Sequence, residues 1–167
     1  MIKVRKGCFE TNSSSTHAIC IPDTQRYNLS HIDFRIGEWG WSVDNPDPEN
    51  YLYTAILELY GDKDKELHEK LNALKTALNN NGISYSFENP QWSDGNWRYL
   101  ENGGIDHSGE LFTLVEDLLN DESLLLKYLA GAQICTGNDN SDSGYDAPND
   151  LYDTKVSEGW RCYWKGN

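Results

Sequence analysis

Apolar residues recur along this chain at two spacings. Leu52, Ala55, Ile56 and Leu59 fall on one face at helical spacing, which predicts a helix over residues 49–60. The turn-rich Asp44-Asn45-Pro46-Asp47-Pro48 leads into it and Gly61 closes it. Leu67, Leu71, Leu74 and Leu78 make a second stripe over 63–79, with His68 beside it at the surface and Asn79-Asn80-Asn81-Gly82 as the stop. Leu111, Leu114, Val115 and Leu118 predict a third helix, with Ser108 placed to cap it. Residues 122–130 predict a fourth, stopped by Gly131.

The other spacing is two. His31-Ile32-Asp33-Phe34-Arg35-Ile36 alternates polar and apolar, as a half-buried strand does. Residues 2–9 and 18–21 read as two further strands, and Pro22-Asp23 turns the chain after the second. Between them lie eight consecutive polar residues, Glu10 to His17. Their short hydroxyls compete for backbone groups and favour a self-bonded loop over a helix. Gly37-Glu38-Trp39-Gly40-Trp41 breaks the alternation, and its glycines imply a backbone bent to seat large rings, with Glu38 displayed. Residues 83–87, 132–136 and 159–165 read as strands, 89–110 as loop, and 137–153 as an acidic loop with Gly and Ser. Separate strands beside paired helices, without a repeat, predict a single α+β domain over residues 1–167, a mixed or antiparallel sheet with about four helices.

At 167 residues, 38% hydrophobic and 25% charged, the chain has the balance of a globular domain large enough to bury a core. Its net charge of −13 argues against direct affinity for DNA or RNA, because phosphate binding needs Lys and Arg. That charge serves solubility, and it also suits an acidic surface that meets a basic groove on another protein, one that normally holds nucleic acid. The N-terminus is charged with no apolar segment behind it, and no window approaches the ~20 apolar residues of a membrane span. A cytoplasmic monomer is expected, with Cys8, Cys20, Cys135 and Cys162 as free thiols.

Three kinds of chemistry are open. His17 and His107 each lie where a polar loop meets a regular element, and Glu10, Glu38, Asp106 and Cys8 could complete a zinc site with them, although no zinc-finger spacing is present. Hydrogen bonding within the loops would account for the same histidines. Asp139, Ser141, Ser143 and Asp150, with Gly144 between, partly imitate a calcium loop, but position twelve is Asp and a strand precedes it. A solvated acidic loop fits better. Finally, Ser13, Ser14, Ser15 or Cys8 could act as a nucleophile beside His17 or His107, although no Gly-x-Ser-x-Gly elbow frames the serines.

Phe9-Glu10-Thr11-Asn12-Ser13-Ser14-Ser15-Thr16-His17 resembles the N-terminal signature of a group of proteins from phages and prophages of Gram-positive bacteria. Gly37-Glu38-Trp39-Gly40-Trp41, Tyr51-Leu52-Tyr53-Thr54, Ile105-Asp106-His107-Ser108, Thr136-Gly137-Asn138-Asp139-Asn140 and Lys165-Gly166-Asn167 resemble the same group. Position 8 is usually aliphatic there, which turns the metal reading toward His17, His107, Glu10 and Glu38. The chain is also similar to type II-A anti-CRISPR proteins, some of which carry a metal. That resemblance implies a phage-encoded inhibitor that binds the Cas9–guide RNA complex and obstructs target DNA with acidic residues such as Asp139, Asp142, Asp146 and Asp150. The alternative is a metal-dependent hydrolase or nucleotide-processing enzyme centred on His17 and His107.

Overall fold

The computed structural model describes residues 15–23, 27–95, 98–138 and 147–166. The strand expected over 2–9, and with it Cys8, Glu10, Ser13, Ser14, Asp139, Asp142 and Asp146, lies outside the described residues. The described elements are β1 (Ser15–Ile21), β2 (His31–Phe34), β3 (Glu38–Trp39), α1 (Pro48–Tyr60), α2 (Asp64–Asn80), β4 (Ser84–Phe87) and β5 (Gly104–Ile105). A 3-10 turn (Ser108–Leu111), α3 (Phe112–Asn120), α4 (Glu122–Gly131), β6 (Gln133–Asn138), α5 (Ala147–Ser157) and β7 (Arg161–Lys165) follow. The fold is α+β.

Three small sheets replace the one expected: antiparallel β6-β1-β7, parallel β2-β4, and the parallel two-residue pair β3-β5. β1 is central and every residue of it is buried, because the sheet is covered on both faces. Its inner face points Ile19 and Ile21 into the core shared with α1, α3 and α4. Its outer face carries Thr16, Ala18 and Cys20 beneath α5, which contacts all three strands. Helix α1 runs through the middle of the core, with Tyr51, Leu52, Ala55, Ile56 and Leu57 almost inaccessible. Tyr128 of α4 donates to the Pro48 carbonyl at 2.9 Å and so ties the start of α1 to its neighbour.

Three further expectations are corrected. Residues 137–153 are not one loop: Gly137 and Asn138 end β6, and α5 begins at Ala147, with Asp150 exposed in its first turn. Pro148 does not prevent that helix, because it stands in the first turn, where its missing N–H leaves no bond unmade. Asp150 therefore belongs to a helix rather than to a calcium-type loop. Ser108 does not cap α3; it opens the 3-10 turn, and no side chain caps either segment. The stretch 89–110 also holds β5 and an isolated bridge between Trp92 and Leu100. No described helix is long and apolar enough to cross a membrane.

Candidate functional site

The inner face of the β6-β1-β7 sheet changes character along its length. At one end Ile19, Ile21, Ile134 and Tyr163 join the core. At the other, His17 stands opposite Thr136 on one side and Lys165 on the other, with Ser15 two residues before it on the same face. Ser15, His17, Thr136 and Lys165 are all fully buried. A buried polar group must find partners within the protein, so the rest of the site follows from how these four are satisfied.

His17 Nδ1 lies 2.6 Å from the Tyr51 hydroxyl on α1, and Nε2 lies 3.3 Å from the Gly40 carbonyl. A carbonyl only accepts, so Nε2 carries the hydrogen and Tyr51 donates to Nδ1. Burial above all, and then the Lys165 charge, lower the His17 pKa to about 3, against the opposing pull of the Gly40 carbonyl and Asp106. The imidazole is neutral across the physiological range. Burial alone holds the Tyr51 hydroxyl well above its usual pKa, so it stays a donor. Thr136 Oγ1 donates to the Ser42 carbonyl at 2.7 Å, and its N–H donates to the Asp44 carbonyl at 2.9 Å. Together these bonds hold the segment 40–44 against the end of the sheet.

Lys165 Nζ lies 2.6 Å from Ser15 Oγ and 3.1 Å from the Ser15 carbonyl. No carboxylate of the described residues comes within ion-pairing distance of it. Burial lowers its pKa to about 8, with Asp106 and Glu110 acting in the opposite direction from farther away.

The short β3-β5 pair brings the remaining side chains in. Gly104 donates to the Gly37 carbonyl at 2.9 Å and Asp106 to the Trp39 carbonyl at 3.0 Å. Gly37 N–H donates to Thr54 Oγ1 of α1 at 3.2 Å. Trp39 then packs on Tyr51 with ring centroids 5.6 Å apart, and Trp41 Nε1 donates to Asp106 Oδ2 at 3.1 Å. A Cβ on Gly37 would lie 2.3 Å from the Trp39 ring, so the bend that seats this ring needs glycine.

Five of the segments singled out in the sequence therefore meet at one place: Ser15 to His17, Gly37 to Trp41, Tyr51 to Thr54, Ile105 with Asp106, and Thr136. Lys165, from the C-terminal segment, joins them. The two histidines do not share a centre. His17 is enclosed with both nitrogens engaged, whereas the His107 side chain is 57% exposed, its Nε2 3.9 Å from Asp106 Oδ1. His107 also has a left-handed backbone, φ 51°, which turns the chain between β5 and the 3-10 turn. Glu38 is exposed on β3. Among the described residues no three His, Cys, Asp or Glu side chains are placed to hold a metal ion, and Glu10 lies outside them. The functional groups that sequence reasoning missed are Tyr51 and Lys165. Both lie in segments that carry the resemblance, and Lys165 also stands two residues after Tyr163 in a strand, on the face that alternation makes inward.

Comparison of the chain with protein-family models, with curated proteins and with solved structures finds no match.

Proposed function

We propose that the protein acts by binding a partner whose surface is basic and built to hold nucleic acid. The Cas9–guide RNA complex is the specific candidate, and it rests on the sequence resemblance. The observation that carries the coarser reading is the local use of the basic side chains. Lys63, Lys65, Lys70, Arg98, Lys127, Lys155 and Arg161 each pair with a carboxylate. Lys165 points inward. Few described cations are left to offset the remaining surface carboxylates, among them Glu38, Asp44, Asp47, Asp150 and Asp153, all exposed. A field of one sign steers association with a basic channel and competes there with phosphate.

The enclosed motif residues support a surface mechanism. His17, Tyr51 and Thr136 spend their hydrogen-bonding capacity on the fold and leave recognition to the exterior. The test is target-DNA cleavage by several Cas9 orthologues with excess protein present, at low and at raised salt. Inhibition is expected, weakening as salt screens the charge. It should weaken further in the double variant Asp150→Lys with Asp153→Lys, which reverses charge on one exposed face of α5. Cleavage that proceeds unchanged with every orthologue would overturn the Cas9 assignment.

A further inference from the structure

We propose that Ser15 and Lys165 form a nucleophile–base pair able to accept an acyl group from a small acyl donor, such as an ester. The inference does not depend on the partner-binding reading.

An amine buried as a structural cation is normally set against a carboxylate, because an unpaired buried charge is costly. Among the described residues Lys165 is set against a hydroxyl instead, with Nζ 2.6 Å from Ser15 Oγ. As the ammonium, Nζ donates to Ser15 Oγ and to the Ser15 carbonyl at 3.1 Å; once the proton is released, the same spacing lets the amine lone pair accept the Oγ hydrogen. A serine hydroxyl becomes a useful nucleophile when a base within such reach takes its proton, and lysine fills that role where burial keeps it uncharged. The titratable groups that face this amine are the neutral His17 from β1, Asp106 from the end of β5 and Glu110 from the 3-10 turn. His17 cannot be the base, because its Nε2 carries a hydrogen and its Nδ1 already accepts from Tyr51. Of the pairings that the sequence left open, Ser15 with His17 gives way to Ser15 with Lys165. The pair lies at one end of the described sheet, since Ser15 is the first described residue of β1 and Lys165 the last of β7.

In the acyl-transfer step Lys165 Nζ takes the Ser15 proton as Oγ bonds to the carbonyl carbon. The bond from that carbon to the leaving oxygen breaks, and the leaving group departs with the proton from the Lys165 ammonium. Water then repeats the sequence on the acyl-serine, giving a carboxylic acid and restoring the hydroxyl. Both side chains are fully buried, so access depends on local opening at this end of the sheet.

The experiment is incubation of the full chain with p-nitrophenyl acetate, read by intact mass and peptide mapping. One acetyl group on Ser15 is expected. Its rate of formation should rise with pH and level off above about 8, where the amine is free. Lys165→Met should slow it by about 100-fold or more, the usual contribution of a positioned base. Acetylation confined to surface lysines overturns the proposal, as does Ser15 labelling that is equally fast in Lys165→Met. Where that variant does not fold, the pH profile of the unmodified protein decides, and Ser15 labelling that keeps rising with hydroxide beyond that point, without levelling, overturns it.

Discussion

Lys165 is the direct cross-strand partner of His17, and both side chains are fully buried on the same face of the sheet. Two basic groups that share an enclosed wall cannot both carry charge at low cost. The imidazole yields, with a pKa lowered to about 3, and the amine keeps its proton up to about 8. The separation assigns each its state: a neutral ring that bridges Tyr51 and Gly40, and an amine that releases its proton in a mildly basic range.

The His17 ring should therefore remain neutral in the folded protein at pH 5, as read from its imidazole proton shifts. In the unfolded chain it takes up a proton near 6.5. The unfolded state then binds the extra proton first, so stability falls as pH drops from about 6.5 toward 3, by up to about 1.4 kcal/mol per pH unit from this residue. His17→Gln should remove that part of the slope. An imidazole titrating near 6.5 in the folded protein would contradict the burial described here.

Lys165 acts with the same sign in a higher window. Between about 8 and its unfolded value of 10.5 the folded state has released a proton that the unfolded chain still holds, so stability rises with pH across that window. Urea denaturation at pH 7.5 and pH 9.5 should show the gain in the unmodified protein and lose it in Lys165→Met. Within that window the Cys20 and Cys162 thiols, which burial holds above their ordinary 9, pull stability the other way in both proteins, so the difference between them carries the test, and the comparison belongs below pH 10. Above it Tyr53 and Tyr163, whose hydroxyls burial pushes up to about 12, keep their protons only in the folded state and pull stability down again.

Tyr51→Phe removes the only described donor to His17 Nδ1 and leaves a buried acceptor unsatisfied. A loss of about 1–3 kcal/mol is expected in chemical denaturation. The same variant should raise the rate at which backbone amides of β1 exchange with solvent, because the bond anchors that strand to α1.

Gly103→Ala should cost about 1–3 kcal/mol, in the range of overpacked sites. Its Cβ would lie 2.5 Å from the Gly37 carbonyl oxygen and 2.5 Å from Ile36 Cγ2, which forces apart the β3-β5 pair that carries Trp39 and Asp106. Gly109→Ala is the control. Nothing lies within 4 Å of its Cβ, and a change within about 0.5 kcal/mol is expected. Melting curves of the two variants, side by side, make the comparison.

Much of the element order was legible because it rests on short-range periodicity. The stripe through Leu52, Ala55, Ile56 and Leu59 reads as a helix from spacing alone, and α1 spans Pro48–Tyr60. The alternation at 31–34 appears as β2, with Ile32 and Phe34 buried and His31 and Asp33 exposed. α5 was not legible, because its acidic residues and Pro148 have the composition of a loop. Its apolar contacts, Pro148 on Gly137 and Tyr152 on Trp164, appear only once the sheet beneath it is assembled.

By itself the sequence determined that the chain forms an α+β domain, which faces are apolar, and that its charge is strongly negative. It also marked the segments that meet in the site. Only the tertiary structure decided which polar group answers which. Ser15 and Lys165 are 150 positions apart and His17 and Tyr51 are 34 apart, so no local pattern relates them. Alternation says that a side chain points inward, but its chemistry depends on what lies opposite. For Lys165 that is a serine hydroxyl and a neutral imidazole in a buried wall, and the enclosure sets the protonation of the amine and the ring.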